Sequence, residues 1–169
     1  MGANGAAILG KSLRRNQKIQ RLYLSQNRFE DKGVYYILEG MLDNIYTTSQ
    51  MSGTQIVVAP IVELDISKNE VALNTASSRA LLCKILTSPD AHMTWLSIRD
   101  NLIRDEAADQ IRLALQGNLT IMKFQIDMNP IKHATIKEIE GVVKRNVQRY
   151  KEKYAPAIKK EINQMYQER

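Results

Sequence analysis

Cysteine is almost absent from the chain. Cys83 stands alone among 169 residues, which excludes an internal disulfide framework and a cysteine-rich metal site. No apolar run approaches the roughly 20 residues needed to span a bilayer. The opening stretch MGANGAAILGKSLRRN lacks the basic region followed by an apolar run that marks a secretory signal. Ala6 stands where a myristoylation motif requires Ser or Thr. His92 and His133 are far apart in the chain, each without a second ligand at helical spacing, so no metal site is expected. A glycine-rich phosphate loop is missing as well. These absences predict a cytoplasmic protein that is not an enzyme, with no cofactor, no small-molecule substrate and no membrane span. Cys83 itself follows Leu81 and Leu82 on a predicted helix and reads as a packed small residue.

Acidic residues are scarce in the last part of the chain. Residues 132–169 carry ten Lys and Arg against five Asp and Glu, whereas residues 1–131 carry fourteen against thirteen. The net charge of +6 therefore belongs mostly to the tail. A basic tail can meet an acidic surface or nucleic acid. Because acids are interspersed through this one, a solvated helix face accounts for it better than a nucleic-acid site.

What the chain does contain is a repeat. Ile19-x-x-Leu22-x-Leu24-x-x-Asn27-x-Phe29 recurs as Ile61-x-x-Leu64-x-Ile66-x-x-Asn69-x-Val71, then as Met93-x-x-Leu96-x-Ile98-x-x-Asn101-x-Ile103. The fourth copy is Ile121-x-x-Phe124-x-Ile126-x-x-Asn129-x-Ile131. Residues two apart share one face of a strand, so Leu22 and Leu24 are predicted in the core with Tyr23 on the opposite face. Strands are expected near 22–24, 64–66, 96–98 and 124–126. The repeat Asn falls where the chain leaves the strand. Its amide both donates and accepts, so a column of such residues can satisfy buried loop backbone.

Helices are predicted between the copies. Gly5, Gly33, Ala107 and Thr135 open them; Leu9, Ile37, Ile111 and Ile139 follow four residues on, and Leu13, Met41, Leu115 and Val143 four further. Asn16, Asn44, Asn118 and Asn146 come three later. Apolar residues at i and i+4 make one buried stripe. In the second repeat the roles fall to Ser77, Leu81, Ile85 and Ser88. A single strand–helix unit cannot bury its apolar face, so the units must stack into one core.

Three stretches depart from the pattern. Residues 1–16 read as a helix whose strand is missing, which fits either a fragment of a longer protein or an unusual cap, and leaves Ile19–Leu24 as an open edge. Ile45 to Pro60 is longer than an ordinary link and reads as a loop, with Gln55–Val58 as a candidate extra strand. After Asn146 the repeat fails, because Arg149 stands where the next apolar strand residue belongs. Val147, Tyr150, Tyr154, Ile158 and Ile162 instead predict a basic amphipathic helix over 147–169 with a break at Pro156. It would cap the last repeat or dock on another protein; membrane and nucleic acid are the remaining alternatives.

Helices headed GAAIL or GVYYIL, then L-x-x-N, then the strand signature resemble the ribonuclease-inhibitor-like class of leucine-rich repeat proteins. Ribonuclease inhibitor, NOD-like receptor repeat domains, Ran GTPase-activating protein, tropomodulin and several ciliary scaffolds share it. The resemblance covers about residues 3–146, leaving 147–169 as a C-terminal helical extension. It implies an α/β fold, a curved right-handed solenoid with a parallel sheet on the concave side and helices on the convex side. It further implies a scaffold or adaptor that binds a protein partner through the concave face, without a cofactor. The same resemblance admits two alternatives, an activator of a small GTPase and a structural subunit of a cytoskeletal or ciliary assembly. The basic tail departs from the acidic one usual in the Ran activator.

Aligning the repeats places rows of side chains across that face. One row is Arg21, Glu63, Trp95 and Lys123; the next is Tyr23, Asp65, Ser97 and Gln125; a third is Ser25, Ser67, Arg99 and Asp127. Trp95 is the only tryptophan, and the period directs it to solvent. Interface hot spots are rich in Trp, Tyr and Arg. The candidate protein-binding residues are therefore Arg21, Tyr23, Glu63, Asp65, Trp95, Arg99, Lys123 and Asp127. The competing reading of Trp95 packs it beneath the long loop or tail of its own chain.

Overall fold

The computed structural model describes residues 1–50 and 61–167, with side chains over residues 1–47 and 61–156. Helices and strands alternate along it: α1 (Gly2–Leu13), β1 (Arg21–Tyr23), α2 (Glu30–Gln50), β2 (Glu63–Asp65), α3 (Ala76–Thr87), β3 (Trp95–Ser97), α4 (Asp105–Gln116), β4 (Lys123–Gln125) and α5 (His133–Gln167). The strands form a parallel sheet in the order β1-β2-β3-β4. Each helix packs on the next, from α1 on α2 through α4 on α5. The architecture is an α/β repeat, one strand and one helix per unit.

The core lies between sheet and helices, filled by the repeat positions. Leu64, Leu96, Ile66 and Ile98 are almost wholly buried, as are Ile37, Ile85, Ile111 and Ile139 from the helices. Burial of each such side chain contributes roughly 1.5–3 kcal/mol. Leu22 and Leu24 are only partly buried against this core, because β1 is an edge strand of the sheet among the described residues. Cys83 is likewise partly buried against it, and that burial pushes its thiol pKa up.

Four asparagines stitch the strand exits together. The Oδ1 of Asn69 accepts from the backbone of Asn27 at 2.8 Å, and that of Asn101 accepts from the backbone of Asn69 at 2.8 Å. The Nδ2 groups of Asn69, Asn101 and Asn129 donate back to Leu24, Ile66 and Ile98 carbonyls of the preceding unit. At Asn27 the corresponding donor is the amino group of Met1, 2.9 Å from Oδ1. Gln26, Lys68, Asp100 and Met128, each just before a repeat Asn, have φ between 53° and 60°. Non-glycine residues rarely adopt such values, and the asparagine bonds on either side hold them there. A second set joins the helix exits. Asn118 accepts from Ile121 at 2.8 Å, Asn146 donates to the Ile121 carbonyl at 3.0 Å, and Asn44 donates to the Asn16 carbonyl at 3.0 Å.

The structure corrects the sequence reading at several places. The helices begin two to three residues before Gly5, Gly33, Ala107 and Thr135. In α2 and α4 the added first-turn residues are acids that reach into the following unit. Asp31 accepts from the backbone of Ala72, Leu73 and Asn74, and Asp105 from that of Lys132 at 2.8 Å. The last bond holds the Asp105 carboxyl below its ordinary pKa. Residues 45–50, expected in a loop, continue α2, with Ile45 buried in the core. The Gln55–Val58 strand lies outside the described residues. The break expected at Pro156 does not occur, and the boundary drawn after Asn146 falls inside α5. Residues 151–156 are exposed, so water can satisfy the Glu152 carbonyl that proline leaves without a donor.

Glycine matters most where α1 meets α2. A Cβ on Gly10 would fall well inside 3.0 Å of the Tyr36 carbonyl oxygen, and one on Gly40 equally close to the Gly10 carbonyl. Gly141, on the exposed face of α5, would meet nothing within 4 Å. Gly141→Ala is therefore expected to stabilise the protein by about 0.5–1 kcal/mol through helix propensity alone, read by urea denaturation.

Candidate functional site

The three-residue strands present alternate side chains away from the helices, and parallel register lines them up. Arg21, Glu63, Trp95 and Lys123 are successive Cα partners across the sheet, as are Tyr23, Asp65, Ser97 and Gln125. Neighbours in a row lie close enough to interact. The Arg21 guanidinium pairs with Glu63 at 3.2 Å, and the Tyr23 hydroxyl donates to the same carboxylate. That bond to an anion, with a small desolvation, holds the Tyr23 phenol above its ordinary pKa of 10.0.

From there the contacts become aromatic. The Tyr23 ring leans over β2 to meet Trp95, centroids 5.4 Å apart and planes at 55°. Lys123 places its ammonium 4.9 Å from the centroid of the Trp95 ring. Lysine over an indole face is attracted by the ring quadrupole. An unbroken strip thus crosses all four strands, from Arg21 through Glu63, Tyr23 and Trp95 to Lys123.

Trp95 is half-buried rather than standing free in solvent. Its indole N–H is buried and has no acceptor among the described residues. Such a donor costs about 1–3 kcal/mol, so the fold alone gives little reason to hold tryptophan here. The residues around it do not act as independent anchors. Arg99 is paired with Asp127 at 2.8 Å beyond the strand ends, beside the sulfur of the exposed Met128. Asp65 is committed to the turn, its Oδ1 accepting from the backbone of Ser67 at 2.9 Å. Ser97, assigned to the exposed row, is buried.

Of the eight candidate residues, the structure thus joins Arg21, Tyr23, Glu63, Trp95 and Lys123 into one continuous feature. Arg99 and Asp127 form a separate pair, and Asp65 serves the backbone. Alignment could assign the rows, but no local pattern shows that Tyr23 reaches across a whole strand to Trp95. Among the described residues, no group of three or more His, Cys, Asp or Glu is placed to hold a metal. No helix among the described residues is long and apolar enough to cross a membrane.

No protein-family model and no curated protein matches the chain. Its fold does match solved structures. One is leiomodin-1 actin-binding site 2, with a TM-score of 0.68 and 14% identity over 95% of this chain and 82% of that one. At that identity the likeness concerns the fold alone.

Proposed function

We propose that this chain is a non-enzymatic protein-binding module, a scaffold or adaptor built as a short leucine-rich-repeat solenoid of the ribonuclease-inhibitor-like class. In that reading the sheet is the concave surface, the helices are the convex one, and the module works in the cytoplasm. The observation that carries it is the strip of Tyr23, Trp95 and Lys123. A large aromatic flanked by a second aromatic and a cation is the chemistry of an interface hot spot. Rigid parallel strands fix these side chains at low entropic cost, which favours binding.

Leiomodin-1 actin-binding site 2 shares the fold, and its name makes actin the first partner to try. A structural role in a cytoskeletal assembly is the form of the proposal that this likeness favours. The test titrates the fluorescein-labelled chain with monomeric actin and sediments it with filaments. Trp95→Ala should weaken binding by about 30-fold, corresponding to roughly 2 kcal/mol, without lowering the amount of folded protein. Unchanged affinity in the variant would remove the strip from the interface. Absence of binding to both actin forms would remove actin.

A further inference from the structure

A second surface lies away from the strip, on the side where the chain enters β3 and β4. There α5 runs past the segments leading into those strands and leaves an open groove of about 410 Å³. His92 and Thr94 line it from the β3 side, and Leu119 and Met122 from the β4 side. Its other wall is α5, through Arg149, Tyr150, Lys153 and Tyr154. Both walls are anchored to each other at the base. Arg145 of α5 donates to the Gln116 and Asn118 carbonyls at 2.9 and 2.7 Å, and buried Asn146 donates to Ile121. The groove is thus preformed, and a ligand need not order it.

The lining combines apolar surface with one sign of charge. Leu119 is 57% exposed, Tyr150 51% and Tyr154 39%. The two tyrosine rings pack with centroids 4.5 Å apart, and Lys153 lies 5.2 Å from the Tyr154 centroid. Among the described residues no carboxylate lines the groove, and neither Arg149 nor Lys153 is ion-paired. Several cations elsewhere on the molecule do have such a partner: Arg14, Arg99, Arg112 and Lys132 are all paired.

We propose that this groove binds an acidic peptide segment of a partner protein, one carrying a large apolar anchor residue. The anchor would lie against Leu119, Tyr150 and Tyr154, with its carboxylates on Arg149 and Lys153. Charge complementarity decides the occupant. A second copy of this chain would bring a net charge of +6 to a groove that is itself cationic. A nucleic acid strand would find two unpaired cations, few for a phosphate backbone, and would leave Leu119 and Met122 uncovered. An acidic segment with one apolar side chain matches both properties at once. The volume suits a few side chains rather than a folded domain.

The experiment uses the full chain and fluorescence anisotropy with short labelled peptides. The first peptide is rich in Glu and Asp with a Leu and a Phe four residues apart. A second replaces Leu and Phe by Ser, and a third replaces the acids by Lys. A labelled oligothymidylate of similar length is the fourth probe. The first peptide should bind at least about tenfold more tightly than the other three and weaken with added salt. The double variant Arg149→Glu with Lys153→Glu should lose about tenfold or more, and Leu119→Ser should lose affinity on its own. All three positions are exposed, so thermal melts of the variants should match the parent. Trp95→Ala should bind the peptide as the parent does, which separates this groove from the proposed sheet interface. Equal binding of all peptides, tighter binding of the oligonucleotide, no binding at all, or full affinity in the charge-reversed variant would each overturn the proposal.

Discussion

Gly40→Ala is expected to destabilise the protein by about 2 kcal/mol or more, lowering Tm by roughly 4–8 °C. The sign is the informative part. In an ordinary helix interior the same change gains up to about 1 kcal/mol, because alanine is the better helix former. At Gly40 the added methyl would press on the carbonyl of Gly10, a backbone atom that no rotamer change can move. Gly10→Ala meets the Tyr36 carbonyl from the opposite direction, so α1 and α2 must separate in either variant. Because both substitutions strain one contact, the double variant should cost less than the sum of the two. The separation exposes Leu13 and Ala6, now buried, and limited proteolysis should cut faster between α1 and β1. Chemical denaturation of Gly40→Ala beside Gly141→Ala makes the comparison internal, with opposite signs expected. A Gly40→Ala protein as stable as the parent would show that the helices are not in backbone contact.

Asn69→Leu should cost about 3 kcal/mol, a fall in Tm of roughly 6–12 °C. The two side chains are similar in size, so the loss is not one of packing. Asn69 is wholly buried, and its amide holds four backbone groups: it accepts from Asn27 and Phe29 and donates to the Leu24 and Ser67 carbonyls. Leucine leaves those groups without partners in a place that water does not reach. The left-handed backbone at Gln26 and Lys68 loses its brace in the same step. Asn27→Leu gives the graded comparison. Asn27 is half-exposed at the sheet edge, where water can replace its bonds, and should cost visibly less. Equal melting of the Asn69 variant and the parent would dismiss the asparagine column as a stabilising device.

Both predictions concern the repeat, and they differ in how far the sequence foretells them. The column at Asn69 is visible from spacing, because an amide at every strand exit has an evident task. The Gly10–Gly40 contact is not. Those glycines lie on different helices, 30 positions apart, and neither falls on a repeat position that spacing singles out.

The candidate site divides along the same line. Rows such as Arg21, Glu63, Trp95 and Lys123 follow from alignment, since strands of equal length pair in parallel at a common register. Within the rows, the alignment is silent on choices made in space. Glu63 gathers Arg21 and Tyr23, Arg99 turns to Asp127, and Ser97 is covered while its row neighbour Tyr23 stays exposed. The groove beside α5 was less legible still. It needs one helix running unbroken from His133 past Asn146 to set Tyr150 and Lys153 opposite Leu119, whereas the repeat pattern in the sequence ends at Asn146.

By itself the sequence determined the strand–helix alternation, the parallel register and the asparagine column. Each of these follows from a short periodic rule, two residues per pleat and nearly four per helical turn, acting within one repeat and between neighbours. The tertiary structure alone decided the aromatic–cationic strip, the glycine contact between α1 and α2, and the groove beside α5. Those depend on how far apart the stacked units sit and which way long side chains lean. Distances between units are fixed by the packing of the whole core, so no window of sequence contains them.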